Sequence, residues 1–145
     1  MMRRLVACLA VVACPAFAVK EVPATALDRV KSGKTPFLAL EFYSKMCGSC
    51  QEFLPMLAEA EKKLKGSQID IGKINIEDKA GRELAEAEGA LQDGLPSLRL
   101  YFKDKKGELT FERILDPEVA DFPDADEIVS RLETAKMRAP GGDEL

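Results

Sequence analysis

FLALEFYSKMCGSC, residues 37–50, joins an apolar run to a pair of cysteines, and the interpretation of the whole chain starts from this stretch. Residues 37–43 are apolar or aromatic apart from Glu41 and are too few for a helix, so they predict a buried strand. From residue 49 to 65 the apolar side chains recur at helical spacing, and the run ends at Gly66. Cys47 and Cys50 are therefore predicted to lie where a strand ends and a helix begins.

The remaining elements follow from the same rules of periodicity and turn chemistry. Helical spacing predicts a first helix over residues 24–33, a third over 79–88 and a last over 127–137. Alternating or apolar runs predict strands over 69–76, 97–102 and 108–114, the last two forming a hairpin. Residues 19–22 are a candidate edge strand. Strands alternating with helices, followed by a hairpin and a closing helix, predict an α/β three-layer sandwich.

Length and composition set limits on function. The 145 residues are enough for one compact domain, and 46% hydrophobic with 32% charged residues is typical of a soluble globular protein. The formal net charge is −4, with both signs mixed along the chain, so a nucleic-acid partner is not expected. The chain contains no histidine, which removes the usual general base and the commonest metal ligand. We expect no metal and no cofactor.

The amino-terminal residues 1–18 have the pattern of a secretory signal peptide. Arg3 and Arg4 precede ten apolar residues, and Ala16-Phe17-Ala18 supplies the small residues that signal peptidase accepts. The alternative is a membrane anchor, but ten apolar residues cannot span a hydrocarbon core of about 30 Å. Cleavage after Ala18 would leave a domain over residues 19–137 with two cysteines, Cys47 and Cys50.

The carboxyl-terminal residues 138–145 are predicted to be a flexible tail. Its end, Asp143-Glu144-Leu145, matches the end of the endoplasmic-reticulum retrieval signal KDEL, although Gly142 replaces the lysine. The alternative is an ordinary acidic terminus. Together with the signal peptide, the tail predicts location in the endoplasmic-reticulum lumen, with a secreted or periplasmic protein as the alternative.

Three interpretations of the CGSC motif are open. A structural disulfide between Cys47 and Cys50 would close too small a loop to constrain the unfolded chain. A zinc site needs four ligands, more than the cysteines of the predicted mature chain can supply. A redox pair agrees best with CxxC in a strand–helix unit, because a helix N-terminus stabilises the thiolate of the first cysteine. Gly48 and Ser49 permit the tight turn between the sulfurs.

Two charged residues interrupt strands that are otherwise apolar. Glu41 lies within the first strand, where burying a carboxylate is costly, and burial would raise its pKa. Lys73 interrupts the next strand and could lie beside Glu41 in the sheet. The alternative is that both side chains point to solvent. Pro96 opens a strand, where a cis bond from Leu95 would explain its presence.

Taken together, these motifs resemble the thioredoxin fold, and most closely a catalytic domain of protein disulfide isomerase, from about residue 22 to residue 136. EFYSKMCGSC is similar to the isomerase pattern EFYAPWCGHC, and Gly94-Leu95-Pro96-Ser97 is similar to a family loop whose proline is cis. Pro55 matches a proline that kinks the family helix, and Lys73 matches a buried lysine. The resemblance implies an α/β/α sandwich around a central mixed sheet.

The resemblance also implies roles. Cys47 would attack a client disulfide, Cys50 would resolve it, and Glu41 with Lys73 would carry the Cys50 proton through water. The residues that would contact the client are Met46, Gly48, Ser49, Leu95 and Pro96. Arg113 would match an arginine that swings towards the second cysteine. Ser49 replaces the isomerase histidine, which implies a less oxidising couple.

The predicted function is a thiol–disulfide oxidoreductase or isomerase of the secretory pathway, acting on client proteins through CGSC. We expect a monomer, with glutathione or a luminal redox protein as its redox partner and no membrane contact. One alternative is a non-catalytic binding or chaperone module of the same fold. Another is a bacterial periplasmic thioredoxin-like reductase.

Overall fold

The structure, a computed structural model, describes residues 19–116 and 121–142. The predicted signal peptide and Asp143-Glu144-Leu145 lie outside these ranges. The elements are a 3₁₀ turn (Ala24–Ala26), α1 (Leu27–Lys31), β1 (Phe37–Tyr43), α2 (Gly48–Lys63), β2 (Ile69–Asn75), α3 (Lys79–Ala87), a second 3₁₀ turn (Leu91–Asp93), β3 (Ser97–Lys103), β4 (Leu109–Arg113) and α4 (Ala125–Arg138).

The four strands form one mixed sheet in the order β2-β1-β3-β4. β1 runs parallel to β2 and antiparallel to β3, and β3 pairs with β4 as the predicted hairpin. Gly107 closes the hairpin turn with φ +81°, a conformation that favours glycine. The candidate edge strand at residues 19–22 is reduced to a single bridge, Glu21 with Lys73, on the outer side of β2.

Helices cover both faces of the sheet, which confirms the predicted three-layer α/β/α sandwich. On one face α2 and α4 pack against alternate residues of the strands, such as Phe37, Ala39 and Leu100. On the other face α1 and α3 pack against Leu38, Leu40 and Tyr101. β1 is buried along its whole length between the two helical layers, which explains why its residues are apolar or aromatic on both faces apart from Glu41. No helix in the described ranges is long and apolar enough to span a bilayer.

A side-chain cap explains where the last helix begins, and other local features explain the first and third helices. α4 begins at Ala125, two residues before the predicted start, because the Asp124 carboxylate accepts a hydrogen bond of 2.8 Å from the Glu127 N–H. The first predicted helix begins as a 3₁₀ turn and becomes α-helical at Leu27. Gly81 allows α3 to approach β2, because a Cβ at this position would lie 2.1 Å from the carbonyl oxygen of Asn75.

Candidate active site

Cys47 and Cys50 form a disulfide at the amino terminus of α2, with their Cα atoms 5.3 Å apart. Cys47 is the N-cap residue, and its sulfur accepts a hydrogen bond of 3.1 Å from the Cys50 N–H. Cys50 is 3% exposed, whereas Cys47 is partly exposed. The first sulfur can therefore be reached by another molecule, while the second is enclosed beneath it.

The loop before Cys47 is held by Glu77, a residue that the sequence interpretation missed. Its carboxylate accepts hydrogen bonds from the Ser44 hydroxyl at 2.6 Å, from the Met46 N–H at 3.1 Å and from the Lys45 N–H. The bond from Ser44 is the main cause that lowers the pKa of the Glu77 carboxyl below its usual value. Glu77 thus anchors the backbone immediately before Cys47. Its place directly after β2, at the same sheet edge as the end of β1, is the sequence signal that could have indicated it.

Glu41 lies in the sheet beneath α2 and is 1% exposed. In the register of the parallel strands its partner is Lys73. Neither carboxylate oxygen has a hydrogen-bond partner among the described residues. Burial raises the pKa of Glu41 from 4.5 to about 7, and the positive charge of Lys73 offsets only part of this increase. The carboxyl group can therefore both take up and release a proton near neutral pH.

Lys73 has a half-buried side chain that lies against an aromatic ring. Its Nζ is 4.7 Å from the centroid of the Tyr43 ring, within range of a cation–π interaction. The hydroxyl of Tyr43 donates a hydrogen bond of 2.8 Å to Glu21. The face of the Tyr43 ring thus contacts the ammonium group of Lys73, and the Tyr43 hydroxyl binds the carboxylate of Glu21.

A cavity of about 290 Å³ connects the buried acid to the disulfide. Its lining includes Glu41, Lys73 and Cys50, together with Tyr43 and Glu21. The volume is several times the space that one water molecule occupies, about 30 Å³ in the liquid. The cavity therefore has room for water beside both the Cys50 side chain and the Glu41 carboxyl group.

The loop opposite the disulfide carries the cis bond between Leu95 and Pro96. The carbonyl oxygen of Leu95 is 3.8 Å from the Cys47 sulfur. A groove of about 260 Å³ beside this loop is lined by Ser49, Leu95, Pro96 and Phe122, among others. Met46 is 88% exposed and lies next to Cys47. Apolar and backbone groups thus surround the accessible sulfur.

The structure brings most of the predicted site residues together and leaves one apart. Gly48 and Ser49 are exposed in the first turn of α2, between the cysteines. Arg113, at the end of β4, instead places its Nη2 2.7 Å from Oδ1 of Asp93. It does not line the cavity that reaches Cys50. Among the described residues, no group of three or more Cys, Asp or Glu side chains could hold a metal ion.

The chemistry available to this site is exchange between thiols and disulfides. An accessible sulfur at a helix N-terminus can form a mixed disulfide, and a second sulfur within bonding distance can resolve it. The fold and the cysteine pair thus define the class of thiol–disulfide oxidoreductases. A model of the thioredoxin family matches residues 14–115, more than half of the chain, and the protein belongs to that family.

Solved structures with thioredoxin-like domains are similar to this chain. The Trx4 domain of ERdj5 is 26% identical, covering 86% of this chain and 98% of its own, with a TM-score of 0.64. Full-length ERdj5 is 25% identical over 80% of this chain, with a TM-score of 0.61, and the chain spans 15% of its length. A mutant thioredoxin from Halobacterium salinarum NRC-1 is 26% identical, covering 81% and 87% of the two chains, with a TM-score of 0.53. The comparison with curated proteins found no match.

Glu41→Gln should change how stability depends on pH. Because the folded pKa of about 7 lies above 4.5, the folded protein binds the proton more tightly than the unfolded chain. The contribution of Glu41 to stability is therefore complete below pH 4.5 and is lost as the pH rises through 7. Between these values, the free energy of unfolding of Glu41→Gln should rise by about 2–3 kcal/mol relative to wild type. Urea denaturation at pH 4.5 and pH 8 measures this shift.

The matched control for Glu41 is Glu52→Gln, which makes the same change at an exposed position of α2. Its difference from wild type should be the same at both pH values. Parallel pH profiles for Glu41→Gln and wild type would contradict the burial argument.

Glu77→Ala should loosen the loop before Cys47. The loss of the carboxylate removes an acceptor from the Met46 N–H, so hydrogen exchange at that amide should become about threefold to tenfold faster. Amide exchange followed by NMR measures this rate, with Asp78→Ala as the control at the exposed neighbouring position. Equal exchange rates in the two variants would show that Glu77 does not hold the loop.

Proposed function

We propose that this protein is a thiol–disulfide oxidoreductase and isomerase of the secretory pathway that acts on client proteins through its CGSC site. The observation that supports this most is the contrast between the two sulfurs. Cys47 is accessible beside a groove, and Cys50 is buried above a cavity that leads to Glu41. A binding module of the same fold would need neither the disulfide nor the buried acid.

In the reductive direction, the Cys47 thiolate attacks one sulfur of a client disulfide. A bond forms between Cys47 and that sulfur, and the second client sulfur leaves as a thiolate and takes up a proton. Cys50 then loses its proton and attacks Cys47. The Cys47–Cys50 disulfide forms, and the first client sulfur is released as a thiol. The two electrons gained by the client come from the two enzyme thiols, and client oxidation is the same sequence in reverse.

Within this cycle the protein residues supply protons and charge stabilisation. The amino terminus of α2 stabilises the Cys47 thiolate, because its N–H groups carry partial positive charge. Glu41 accepts the Cys50 proton through water in the cavity when Cys50 attacks, and returns it when the disulfide is reduced. Lys73 favours the charged form of Glu41, which limits how far burial raises its pKa.

The proposal that clients bind across the Leu95–Pro96 loop follows from the groove beside the accessible sulfur. The exposed thioether of Met46 and the half-buried Leu95 provide apolar contact on either side of Cys47. An extended client segment can place its cysteine between them and use the loop backbone for hydrogen bonds. The shallow groove favours broad specificity and weak client affinity.

The redox equilibrium of Cys47 and Cys50 in a series of glutathione buffers, followed by thiol alkylation, tests the activity. We expect a reversible disulfide with a potential between about −180 and −270 mV. A potential near about −180 mV would indicate an oxidase or isomerase. A potential near about −270 mV would indicate a reductase with a dedicated electron donor. Cys50→Ser is the control and should form no Cys47–Cys50 disulfide. If the wild-type chain forms none either, the oxidoreductase proposal fails and a binding module replaces it.

The compartment is a second part of the proposal and comes from the sequence. The pattern at residues 1–18 supports entry into the secretory pathway, and Asp143-Glu144-Leu145 supports retrieval to the endoplasmic reticulum. A secreted reporter that carries the last 30 residues of the chain should be retained inside eukaryotic cells. The same reporter without the last three residues is the control. Equal secretion of both reporters would favour a secreted or periplasmic protein instead.

A further inference from the structure

Arg99 is the largest fully buried side chain in the described part of the protein, and the proposed chemistry does not use it. It lies in β3 on the face covered by α3. Its guanidinium group donates hydrogen bonds to the carbonyl oxygen of Glu88 at 2.5 Å and to that of Gly89 at 2.9 Å. Its centre also lies 4.1 Å from the centroid of the Phe111 ring. The guanidinium group is therefore fixed by the end of α3 on one side and by β4 on the other.

The carboxylate that compensates Arg99 belongs to Asp93, whose side chain is 8% exposed. Oδ2 of Asp93 accepts from Nε of Arg99 at 3.1 Å and also pairs with Nη2. The second oxygen, Oδ1, pairs with Nη2 of Arg113 at 2.7 Å. Asp93 thus lies between a buried arginine and a partly exposed one, and both of its oxygens are used.

This ion-pair cluster of Asp93, Arg99 and Arg113 closes the base of the loop that faces the disulfide. Asp93 directly precedes Gly94-Leu95-Pro96, and Ser97 directly follows these three residues. The hydroxyl of Ser97 lies 3.5 Å from Oδ2 of Asp93. The loop between these two residues carries the Leu95 carbonyl that lies 3.8 Å from the Cys47 sulfur. The position of the client-facing backbone is therefore set by where Asp93 is held.

Stability alone does not account for such a cluster. A buried ion pair pays a large desolvation penalty, and apolar side chains of similar volume often stabilise a core as well or better. The benefit of a planar, forked arginine is the geometry it imposes on its partners. Here the partners are the end of α3 and the first anchor of the loop.

We propose that Asp93 is a positioning residue for client binding, held by Arg99 and Arg113, which fixes the Leu95–Pro96 backbone against the accessible sulfur. The inference rests on the proposed function and deepens it, because it assigns part of the client affinity to a cluster behind the groove. A client peptide needs the loop backbone, whereas a small dithiol needs only the Cys47 sulfur. Disturbing the cluster should therefore weaken reactions with peptides and leave those with small dithiols unchanged.

The test compares two substrates in wild type and in Arg113→Gln, Asp93→Asn and the double variant. Arg113 is the safest position to change, because its side chain is 56% exposed and its loss leaves the buried pair intact. The control is Arg138→Gln, which removes an exposed arginine that pairs with Glu112 of β4, away from the loop. In the first assay the full chain reduces a peptide that contains one intrachain disulfide, and excess dithiothreitol supplies the electrons. In the second assay no peptide is present, and dithiothreitol reduces the Cys47–Cys50 disulfide directly.

We expect Arg113→Gln to raise the KM for the peptide by about threefold to tenfold, with kcat nearly unchanged, since a small displacement of binding groups has effects of at least this size. Asp93→Asn should raise KM further, and the double variant should match Asp93→Asn, because Arg113 acts through Asp93. The rate constant with dithiothreitol and the redox equilibrium should change by less than twofold. Arg138→Gln should behave as wild type.

The inference is overturned if Arg113→Gln and Arg138→Gln have the same KM, or if the rate with dithiothreitol falls as much as kcat/KM for the peptide. If Asp93→Asn does not fold, the comparison between Arg113→Gln and Arg138→Gln still decides whether the cluster affects peptide binding. If wild type does not reduce the peptide at all, the proposed function itself fails. A wild type that is active, with variants that bind the peptide equally well, overturns only the role of the cluster.

Discussion

The N–H groups in the first turn of a helix have no carbonyl partners within that helix, and the active site is built around this constraint at the start of α2. The Cys47 sulfur satisfies one of them by accepting from the Cys50 N–H. This bond places the two sulfurs within bonding distance and puts the first at the surface. Because α2 packs across the sheet, the same helix start brings Cys50 over the interior position of β1 occupied by Glu41. One backbone requirement thus sets the spacing and the exposure of the two sulfurs and the position of Cys50 relative to Glu41.

Much of this arrangement could be predicted from the sequence because its causes are local. The apolar run before the motif predicts a strand wherever it occurs, and the spacing after it predicts a helix. The burial of Glu41 follows from its place among six apolar or aromatic neighbours in β1, since a seven-residue strand at the centre of a sheet leaves no solvated face. Its nearness to Lys73 follows from the parallel register, in which equivalent residues of β1 and β2 lie side by side.

Contacts between loops and distant elements could not be predicted in this way. Glu77 and Asp93 lie in polar segments that resemble ordinary solvated turns, and their partners are fixed by where the sheet brings the segments together. Arg99 is even less expected, since its neighbours in β3 are apolar and an isolated arginine there normally points to solvent. The register of β3 and β4 places Arg113 opposite Arg99, and this pairing explains why the side chain of Arg113 is directed to Asp93. The resemblance in sequence implies a place near Cys50 for Arg113, whereas the structure pairs this residue with Asp93.

Residues 19–22, which lie along the outer side of β2, are hydrogen-bonded to the backbone of Lys73. The Lys73 N–H donates to the carbonyl oxygen of Lys20, and the Lys73 carbonyl oxygen accepts from the Val22 N–H, both at 2.9 Å. With β1 on one flank and this segment on the other, the backbone of Lys73 is hydrogen-bonded on both sides, and its side chain lies over the Tyr43 ring. Residues 20–22 thus support the strand position of Lys73, the residue that pairs with Glu41 in the sheet. Removing residues 19–22 would take both hydrogen bonds from the Lys73 backbone and would also take the buried Val19 side chain from the core.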